Sequence, residues 1–286
     1  MSRLSAAAMS TDTNVGAHYA HENLEATILN ALESKIHDLH DLKAEDLAAV
    51  DEFHVRGRKA TVALAKDITP DNEMRVLDVG CGLGGASRYL AQEFGCHVTG
   101  LDLSAEYCRV ATGFTRRLGL DSLVSFQQGN AIDMAFSDSS FDVVWTQHAS
   151  MNISDKNRLY REIWRVLKPG GRFAIYDVLS GTGEDIHFPV PWAREPAISF
   201  LLTSDQLLNA LSDVGFEILV WRDVTEVGRT WFRDMKEKIQ KNGTFPLGLH
   251  LLLGPEFSQM AHNQFLNFEE GRTALIEAVV RRPLSS

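Results

Sequence analysis

Residues 76–85 read Val-Leu-Asp-Val-Gly-Cys-Gly-Leu-Gly-Gly, an apolar run followed at once by closely spaced glycines. The run is typical of a buried strand, and a segment with helical periodicity follows the glycines. Glycines are needed at such a junction because the chain must turn tightly and let a ligand approach its backbone. Gly80, Gly82 and Gly85 also fit the spacing of a dinucleotide-binding loop, so the stretch predicts a nucleotide-type ligand.

Short apolar runs bounded by turn residues occur on both sides of this loop. They lie at 75–79, 97–102, 123–127, 141–145, 173–178, 216–221 and 273–280, with helical segments at 85–94, 104–118, 155–167 and 204–214. Thr203 and Gln206 form a capping-box pattern at the start of the last of these helices. Parallel strands need crossover connections, which helices supply. The alternation therefore predicts an α/β fold with a mostly parallel, seven-stranded sheet and helices on both faces.

The flanks of this alternating region divide the chain further. Residues 1–70 are predicted to form an N-terminal helical cap, because Leu24, Ile28, Leu32 and Ile36 recur at a spacing of four within a helix over 18–40 and a second helix follows at 57–68. The core extends over 71–225. Residues 226–270 interrupt the alternation and are predicted to form a helical cap insertion. Residues 271–286 hold the final core strand and a tail.

Charge and composition exclude several classes of protein. The formal net charge is −10 and the chain has no extended Lys/Arg cluster, so a nucleic-acid partner is not expected. No apolar run approaches the roughly 18 residues of a membrane-spanning helix, and the N-terminal residues do not resemble a secretory signal. Three cysteines without a Cys-x-x-Cys pair suit a reducing cytoplasm. A soluble, cytoplasmic protein acting on a small molecule is expected.

Asp102 closes the strand that follows the glycine-rich loop. A carboxylate at this position accepts hydrogen bonds from both hydroxyls of a ribose. The loop and Asp102 together are compatible with either a nicotinamide dinucleotide or S-adenosylmethionine, and the spacing alone does not separate them.

The order of five segments resembles the class I methyltransferases over roughly residues 70–222. These segments are LDVGCGLGG (77–85), the acidic end of LD at Asp102, GNAID (129–133), SFDVVWTQHA (140–149) and LKPGGRF (167–173). Four flanking segments resemble the sarcosine/dimethylglycine methyltransferase-like branch: DEFHVRGRKAT (51–61), HFPVPWA (187–193), SFLLT (199–203) and LGLHLLLGPEF (247–257). The resemblance implies a Rossmann-like fold, S-adenosylmethionine as cofactor and S-adenosylhomocysteine as product.

The resemblance also implies roles for individual residues around the cofactor. Asp78 and the backbone of Gly80, Cys81, Gly82 and Gly84 are expected at its methionine part. Asp102 is expected at the ribose, Leu103, Asn130 and Ala131 at the adenine, Gln147 beside the sulfonium, and Arg58 at the carboxylate. Asn130 stands where Asp is common, but its amide oxygen remains a hydrogen-bond acceptor.

Methyl transfer mainly requires a nucleophile in line with the sulfur–methyl bond. His148, at the end of the fourth strand, is the first candidate for a general base, because an ordinary imidazole pKa suits proton removal at neutral pH. Its alternative role is to orient the substrate or cofactor. His54 is a second candidate, with helix packing as its alternative. Trp192 is a candidate substrate wall that would attract a cationic amine, with simple core burial as its alternative.

The favoured function is N-methylation of a small amine or amino acid, with O- or C-methylation of a small natural product as the alternative. A non-catalytic S-adenosylmethionine-binding module and an NAD-dependent oxidoreductase are the alternatives of other classes. No metal site is predicted, since the pairs His18/His21 and His37/His40 lack completing ligands. A homo-oligomer is compatible with the sequence.

Overall fold

The computed structural model describes residues 18–19, 23–33, 38–243 and 246–284. Its centre is one seven-stranded sheet with the strand order β3-β2-β1-β4-β5-β7-β6. The strands are β1 (Arg75–Val79), β2 (His97–Asp102), β3 (Val124–Gln128), β4 (Phe141–Gln147), β5 (Leu167–Ser180), β6 (Glu217–Asp223) and β7 (Thr273–Arg281). The pairs from β3 to β5 are parallel, whereas β7 runs antiparallel to both of its neighbours. The predicted mostly parallel α/β sheet is confirmed.

Helices connect and flank these strands. The described α-helices are α1 (Leu24–Glu33), α2 (Ala44–Asp51), α3 (Arg58–Ile68), α4 (Gly85–Phe94), α5 (Ala105–Arg117), α6 (Lys156–Val166), α7 (Ser204–Val214), α8 (Thr225–Asn242), α9 (His250–Leu253) and α10 (Phe257–Glu269). The capping box of α7 is present as predicted. Thr203 Oγ1 accepts from the Gln206 N–H at 3.2 Å, and Gln206 Oε1 accepts from the Thr203 N–H at 2.9 Å.

Strand side chains alternate between two apolar layers. On β1, Val76 belongs to the layer that contains Leu64 of α3, while Leu77 belongs to the layer that contains Ile163 of α6. This period of two follows from the pleat of a strand and places helices on both faces of the sheet.

A third apolar cluster lies outside these two layers. It joins α1 through Ile28, α2 through Leu47 and α5 through Phe114 to Leu252 and Met260 near the C-terminus. The two predicted cap segments therefore pack together, although they are far apart in sequence.

Several sequence predictions differ from the structure in extent, and two of them differ most. The helix expected over 18–40 is described only as α1, and Ile36, His21 and His37 lie outside the described residues. β5 begins at Leu167 rather than at Phe173, because Leu167 pairs with Phe141 before the glycine pair Gly170-Gly171 is reached. Among the described residues, no helix has both the length and the apolar character needed to cross a membrane.

Candidate active site

A cavity of about 820 Å³ lies at the carboxyl ends of β1, β2 and β4. Its size is typical of small-molecule sites, which span roughly 300–1,000 Å³. This edge of an open α/β sheet is the usual place for ligands, because the connecting loops diverge there.

The glycine-rich loop forms one wall of the cavity. Gly80 has a φ of +76°, and a Cβ there would lie 2.4 Å from Ala149 Cβ. A side chain at Gly80 would therefore displace the turn after β4. Gly82 has a φ of +53° with no atom close to its Cβ position, so its requirement is conformational. Gly80 and Gly82 carry no side chains, so a bound ligand can approach the backbone of this wall closely.

Asp78 is buried at the base of this loop. Its Oδ2 accepts a hydrogen bond from Ser87 Oγ at 2.6 Å. Burial raises the pKa of the Asp78 carboxyl to about 7, although the hydrogen bond from Ser87 opposes the shift. A cationic ligand beside Asp78 would favour its charged form.

Asp102 faces the cavity from the end of β2. Its Oδ2 accepts from the Gly82 N–H at 2.9 Å, and its Oδ1 accepts from the Ser104 N–H at 2.8 Å. Both oxygens keep a lone pair for further donors. The neighbouring wall contains Cys81, Leu103, Asn130 and Ala131. Asn130 Oδ1 accepts from the Ile132 N–H at 3.1 Å, so this amide oxygen also holds its own loop.

Gln147 has an amide orientation that its neighbours determine. Trp145 Nε1 lies 2.9 Å from Gln147 Oε1, and Thr61 Oγ1 lies 3.1 Å from the same atom. An indole N–H only donates, so the atom beside it must be the amide oxygen. The Nε2 donor of Gln147 is buried and has no protein partner among the described residues.

His148 lines the cavity directly after β4. Its φ is +51°, and its ring stacks on Tyr176 with centroids 5.3 Å apart and planes at 8°. Burial, reinforced by the nearby His54, lowers the pKa of His148 well below its ordinary value. Its Nε2 is buried and lacks a partner among the described residues. His148 is therefore neutral at pH 7, and one of its imidazole nitrogens is buried without a partner in the described structure.

His54 lines the same region, in the loop between α2 and α3. Its Nε2 lies 2.9 Å from Glu52 Oε2, and its ring centroid lies 5.9 Å from that of His148. Thr61 Oγ1 donates to the same glutamate oxygen at 2.6 Å. Burial raises the pKa of Glu52, but the hydrogen bonds and charges of His54, Thr61 and Arg58 outweigh this effect and leave it below its ordinary value.

Arg58, predicted to contact the carboxylate of the cofactor, is held by Glu52 and Tyr89. Its Nε lies 2.8 Å from Glu52 Oε1, and its guanidinium lies over the Tyr89 ring, 5.3 Å from the centroid. Arg58 is absent from the residues that line the cavity. The buried Glu52 carboxylate holds this cation within the cap, so the geometry gives no support to its predicted contact with a cofactor carboxylate.

Trp192 is buried and also borders the cavity. It is 3% exposed and also lines the cavity, with Nε1 donating to Ser199 Oγ at 2.9 Å. Asn152 Nδ2 donates to the Trp192 carbonyl at 2.7 Å and holds this loop beside the site.

Several cavity residues were missed by the sequence analysis. They are Tyr19, Asp51, Phe53, Tyr107 and Asn152. Tyr19 OH donates to Asn152 Oδ1 at 3.2 Å, and its ring lies 5.9 Å from that of Tyr107. None of these residues belongs to the glycine-loop motif, and their approach depends on how the cap folds back. The DEF segment at 51–53 was a usable signal, since it begins the stretch that resembles the branch.

The cavity is lined by polar as well as apolar residues. Four of the lining residues carry a buried side-chain atom without a partner among the described residues: Asp51 Oδ1, Tyr107 OH, Gln147 Nε2 and His148 Nε2. Unpaired buried polar atoms are costly, so these four atoms mark the least well satisfied part of the structure around the cavity. In the described part of the chain, no group of three or more His, Cys, Asp or Glu residues could hold a metal ion.

Comparison with known proteins identifies the domain. A family model described as a methyltransferase domain matches residues 77–175. A sterol 24-C-methyltransferase of Neurospora crassa is 36% identical over 169 residues, which cover 57% of this chain and 45% of that protein. A glycine/sarcosine/dimethylglycine N-methyltransferase of Actinopolyspora halophila is 39% identical over 142 residues, which cover 50% of this chain and 24% of that protein. The chain thus spans less than half the length of either relative.

Solved structures extend the likeness beyond the core. Geranyl diphosphate C-methyltransferase from Streptomyces coelicolor A3(2), solved with S-adenosyl-L-homocysteine, has a TM-score of 0.71 at 17% identity and covers 95% of this chain and 98% of its own. The (4+2) cyclase SpnF has a TM-score of 0.64 at 28% identity, covering 79% of this chain and 82% of its own.

The fold is that of the class I S-adenosylmethionine-dependent methyltransferases, and the chain contains a methyltransferase domain of that class. S-adenosylmethionine is the cofactor of the class, which confirms the cofactor prediction. The resemblance stated from the sequence is likewise confirmed.

Proposed function

We propose that this protein transfers the methyl group of S-adenosylmethionine to a small molecule, with a nitrogen acceptor favoured. The observation that carries the proposal is the continuity of the site. One cavity joins the glycine loop and Asp102 to His54, His148 and Trp192. A cofactor at the first group would direct its reactive end toward the second, as methyl transfer requires.

The charges on the cavity wall favour a neutral or cationic acceptor. The lining carboxylates of the described residues are Asp51, Asp78, Asp102, Asp133 and Asp155. Arg158 is the sole Lys or Arg among the described lining residues, and it is half-exposed, with its Nη2 3.6 Å from Asp133 Oδ1. Such a wall attracts an amine and repels a phosphate or carboxylate. Trp192 adds an aromatic face beside which a cationic nitrogen is stabilised.

The residues of the chain would position the reacting atoms. When bound, S-adenosylmethionine supplies a methyl group on a sulfonium sulfur, and the sulfur keeps the electron pair of the broken bond. His148, neutral because of its burial, accepts a hydrogen bond from the N–H of the acceptor and directs the nitrogen lone pair toward the methyl carbon. For a hydroxyl acceptor, the same nitrogen would accept the proton as the O–C bond forms. His54, held by Glu52, is proposed to pack against this group and keep its orientation.

A screen with methyl-labelled S-adenosylmethionine tests the proposal. Small amines, amino acids and phenols would be offered together with matched analogues that lack the nucleophile. We expect label transfer to at least one nucleophile with equal release of S-adenosylhomocysteine, and a preference for amines over phosphorylated amines. Transfer only to oxygen or carbon acceptors would contradict the nitrogen preference.

A second candidate is a non-methylating protein that binds the same ligand. The likeness to a protein named as a cyclase favours keeping this candidate, because that fold is similar at 28% identity. It predicts tight S-adenosylhomocysteine binding with no label transfer to any acceptor. Measurable binding of NAD without binding of S-adenosylhomocysteine would contradict both candidates.

We also propose that the protein acts in the cytoplasm. Cys81, Cys96 and Cys108 are free and buried, which suits a reducing cytoplasm. The proposal also includes a small-molecule acceptor and association of the protein with copies of itself.

A further inference from the structure

Six side chains on the cavity wall form a connected set that includes His148, and we call this set the acceptor wall. Its members are Tyr19, Phe53, His54, His148, Asn152 and Trp192. The His54 ring lies 5.9 Å from that of His148, and the Phe53 ring lies 6.2 Å from that of Tyr19, between centroids. Tyr19 OH donates to Asn152 Oδ1 at 3.2 Å, and Asn152 Nδ2 donates to the Trp192 carbonyl at 2.7 Å. These contacts bring three aromatic rings to the part of the cavity that holds His148.

The hydrogen-bond donors of the acceptor wall are used inside the protein. Both hydrogens of Asn152 Nδ2 are taken, by the carbonyls of Trp192 and Ile198 at 2.7 Å and 3.0 Å. Trp192 Nε1 donates to Ser199 Oγ at 2.9 Å. Tyr19 OH and Asn152 Oδ1 each retain a lone pair, which accepts from an amine but repels an anion. The wall is therefore poor in donors for a negatively charged group.

No Lys or Arg side chain belongs to the acceptor wall. Arg158, the sole Lys or Arg among the described residues that line the cavity, is half-exposed and lies 3.6 Å from Asp133. Arg56 and Arg58 are close to Phe53 in sequence, but neither is among the lining residues. A carboxylate or phosphate placed against the acceptor wall would lose its water without gaining an opposite charge, which is costly.

The rings of the acceptor wall still have surface for a ligand. Tyr19 and Phe53 pack edge to face at 80°, and both residues are partly exposed. Trp192 is 3% exposed and contributes less surface. Aromatic rings with free faces gain free energy when another ring or an alkyl chain covers them. Phe53 has no polar atom in its side chain and precedes His54 directly, so it offers apolar surface beside the two histidines.

We propose that the acceptor is an amine with an aromatic or similarly apolar body and without a carboxylate or phosphate, and that Phe53 selects this body. The proposal rests on the proposed function and narrows its substrate class. The amine nitrogen forms the new N–C bond with its lone pair, the sulfur–methyl bond breaks with its electron pair staying on sulfur, and the surplus N–H proton leaves to solvent.

Calorimetry on the full-length protein saturated with S-adenosylhomocysteine tests this substrate class with three probes. 2-Phenylethylamine has an aromatic body, phenylalanine adds a carboxylate to it, and ethylamine lacks the ring. We expect 2-phenylethylamine to bind more tightly than either other probe by about 10-fold or more, because it buries a ring without burying an unpaired charge.

Phe53→Ala tests the selecting residue, and Phe257→Ala is its matched control. Phe257 packs against the same apolar cluster as Phe53 but does not line the cavity. Phe53→Ala should reduce the preference for 2-phenylethylamine over ethylamine to about threefold or less, whereas Phe257→Ala should keep it. Phe53→Leu keeps most of the apolar volume and serves as a second variant if alanine prevents folding. It should change the preference in the same direction.

Two kinds of result would overturn the proposal. The first is binding of phenylalanine or ethylamine that is as tight as that of 2-phenylethylamine, or no saturable binding of 2-phenylethylamine. The second is an equal effect of Phe53→Ala and Phe257→Ala, since Phe53 would then act only through the fold. These measurements do not depend on turnover. A protein that binds the probes in the expected order but transfers no label to any acceptor would contradict the proposed function alone.

Discussion

Gln147, which ends β4, and His148, which follows it, are neighbours whose surroundings give their side chains different properties. The Gln147 amide nitrogen has no partner among the described residues, because the Trp145 indole bonds to the amide oxygen and fixes the orientation of the group. His148 Nε2 has no partner among the described residues, its ring stacks on Tyr176, and its pKa lies well below the ordinary value. A positive φ at a non-glycine residue such as His148 is held by surrounding structure and is often found at functional sites.

Replacement of His148 by Asn tests its proposed role. Asn tolerates the φ of +51° and keeps hydrogen bonding, but it does not accept a proton at neutral pH. With an acceptor that loses a proton, turnover should fall by about 10²–10⁴-fold while S-adenosylhomocysteine affinity stays nearly constant. Weaker binding with unchanged turnover would make His148 a binding residue. A tertiary amine acceptor has no proton to lose and should show only a modest effect.

The Asp78 carboxyl predicts a pH dependence of cofactor binding. Its pKa is about 7 in the free protein, and a cationic ligand favours the carboxylate, so binding should release a proton. Affinity for S-adenosylmethionine should therefore rise as the pH increases from about 6 to 8 and then level off. Calorimetry across this range would measure the trend. Asp78→Asn should flatten it, and an equally steep rise in that variant would assign the titration to another group.

At the scale of elements, the site depends on the contact between the glycine loop and the turn after β4. Hydrogen bonds from the Gly80 and Cys81 N–H groups to the Leu101 carbonyl, at 2.8 Å and 3.2 Å, hold the loop against β2. Ala149 then packs where a Gly80 side chain would stand. The cofactor loop and the His148 turn are thus one packed unit.

Comparing Gly80→Ala with Gly82→Ala separates the cost of backbone conformation from the cost of a steric clash. Both positions have positive φ, which costs a non-glycine residue about 1–2 kcal/mol. Only Gly80→Ala also forces Ala149 away. We expect Gly80→Ala to lose more unfolding free energy in urea and more S-adenosylhomocysteine affinity than Gly82→Ala. Equal losses in the two variants would mean that residues 148–150 move aside without a measurable cost in free energy.

At the scale of the whole molecule, the cap is built from both ends of the chain. We propose that the described residues between 18 and 70 and part of 226–270 close over the core, since Tyr19, Phe53 and Leu252 line the cavity. α8 is different, because its residues from 236 to 241 are exposed. The segment over 226–270 therefore contributes to the site through α9 and its neighbours.

Hydrogen exchange tests this division of the cap. Binding of S-adenosylhomocysteine should slow amide exchange in α2 and around 247–253, because these segments share the third apolar cluster and border the cavity. The end of α8 serves as an internal control and should exchange unchanged. Protection confined to the core loops would indicate a site that stays open.

The sequence by itself determined the seven strands of the sheet, their approximate positions and the glycine-rich loop. Two local patterns carried these predictions: the alternation of apolar runs with helical segments, and the spacing from Asp78 to Asp102. Local patterns can be recognised in a sequence before the fold is known. They located β1, β2 and α4 at their observed bounds.

Only the tertiary structure decided which side chains complete the site. Arg58 pairs with Glu52, while Asp51, seven residues earlier, pairs with Arg88. Arg58 and Asp51 both lie in the segment DEFHVRGRKAT (51–61), but burial and packing against other elements determine their partners. Pairing of buried charges depends on three-dimensional neighbours, so sequence spacing does not reveal which charges are paired inside the protein.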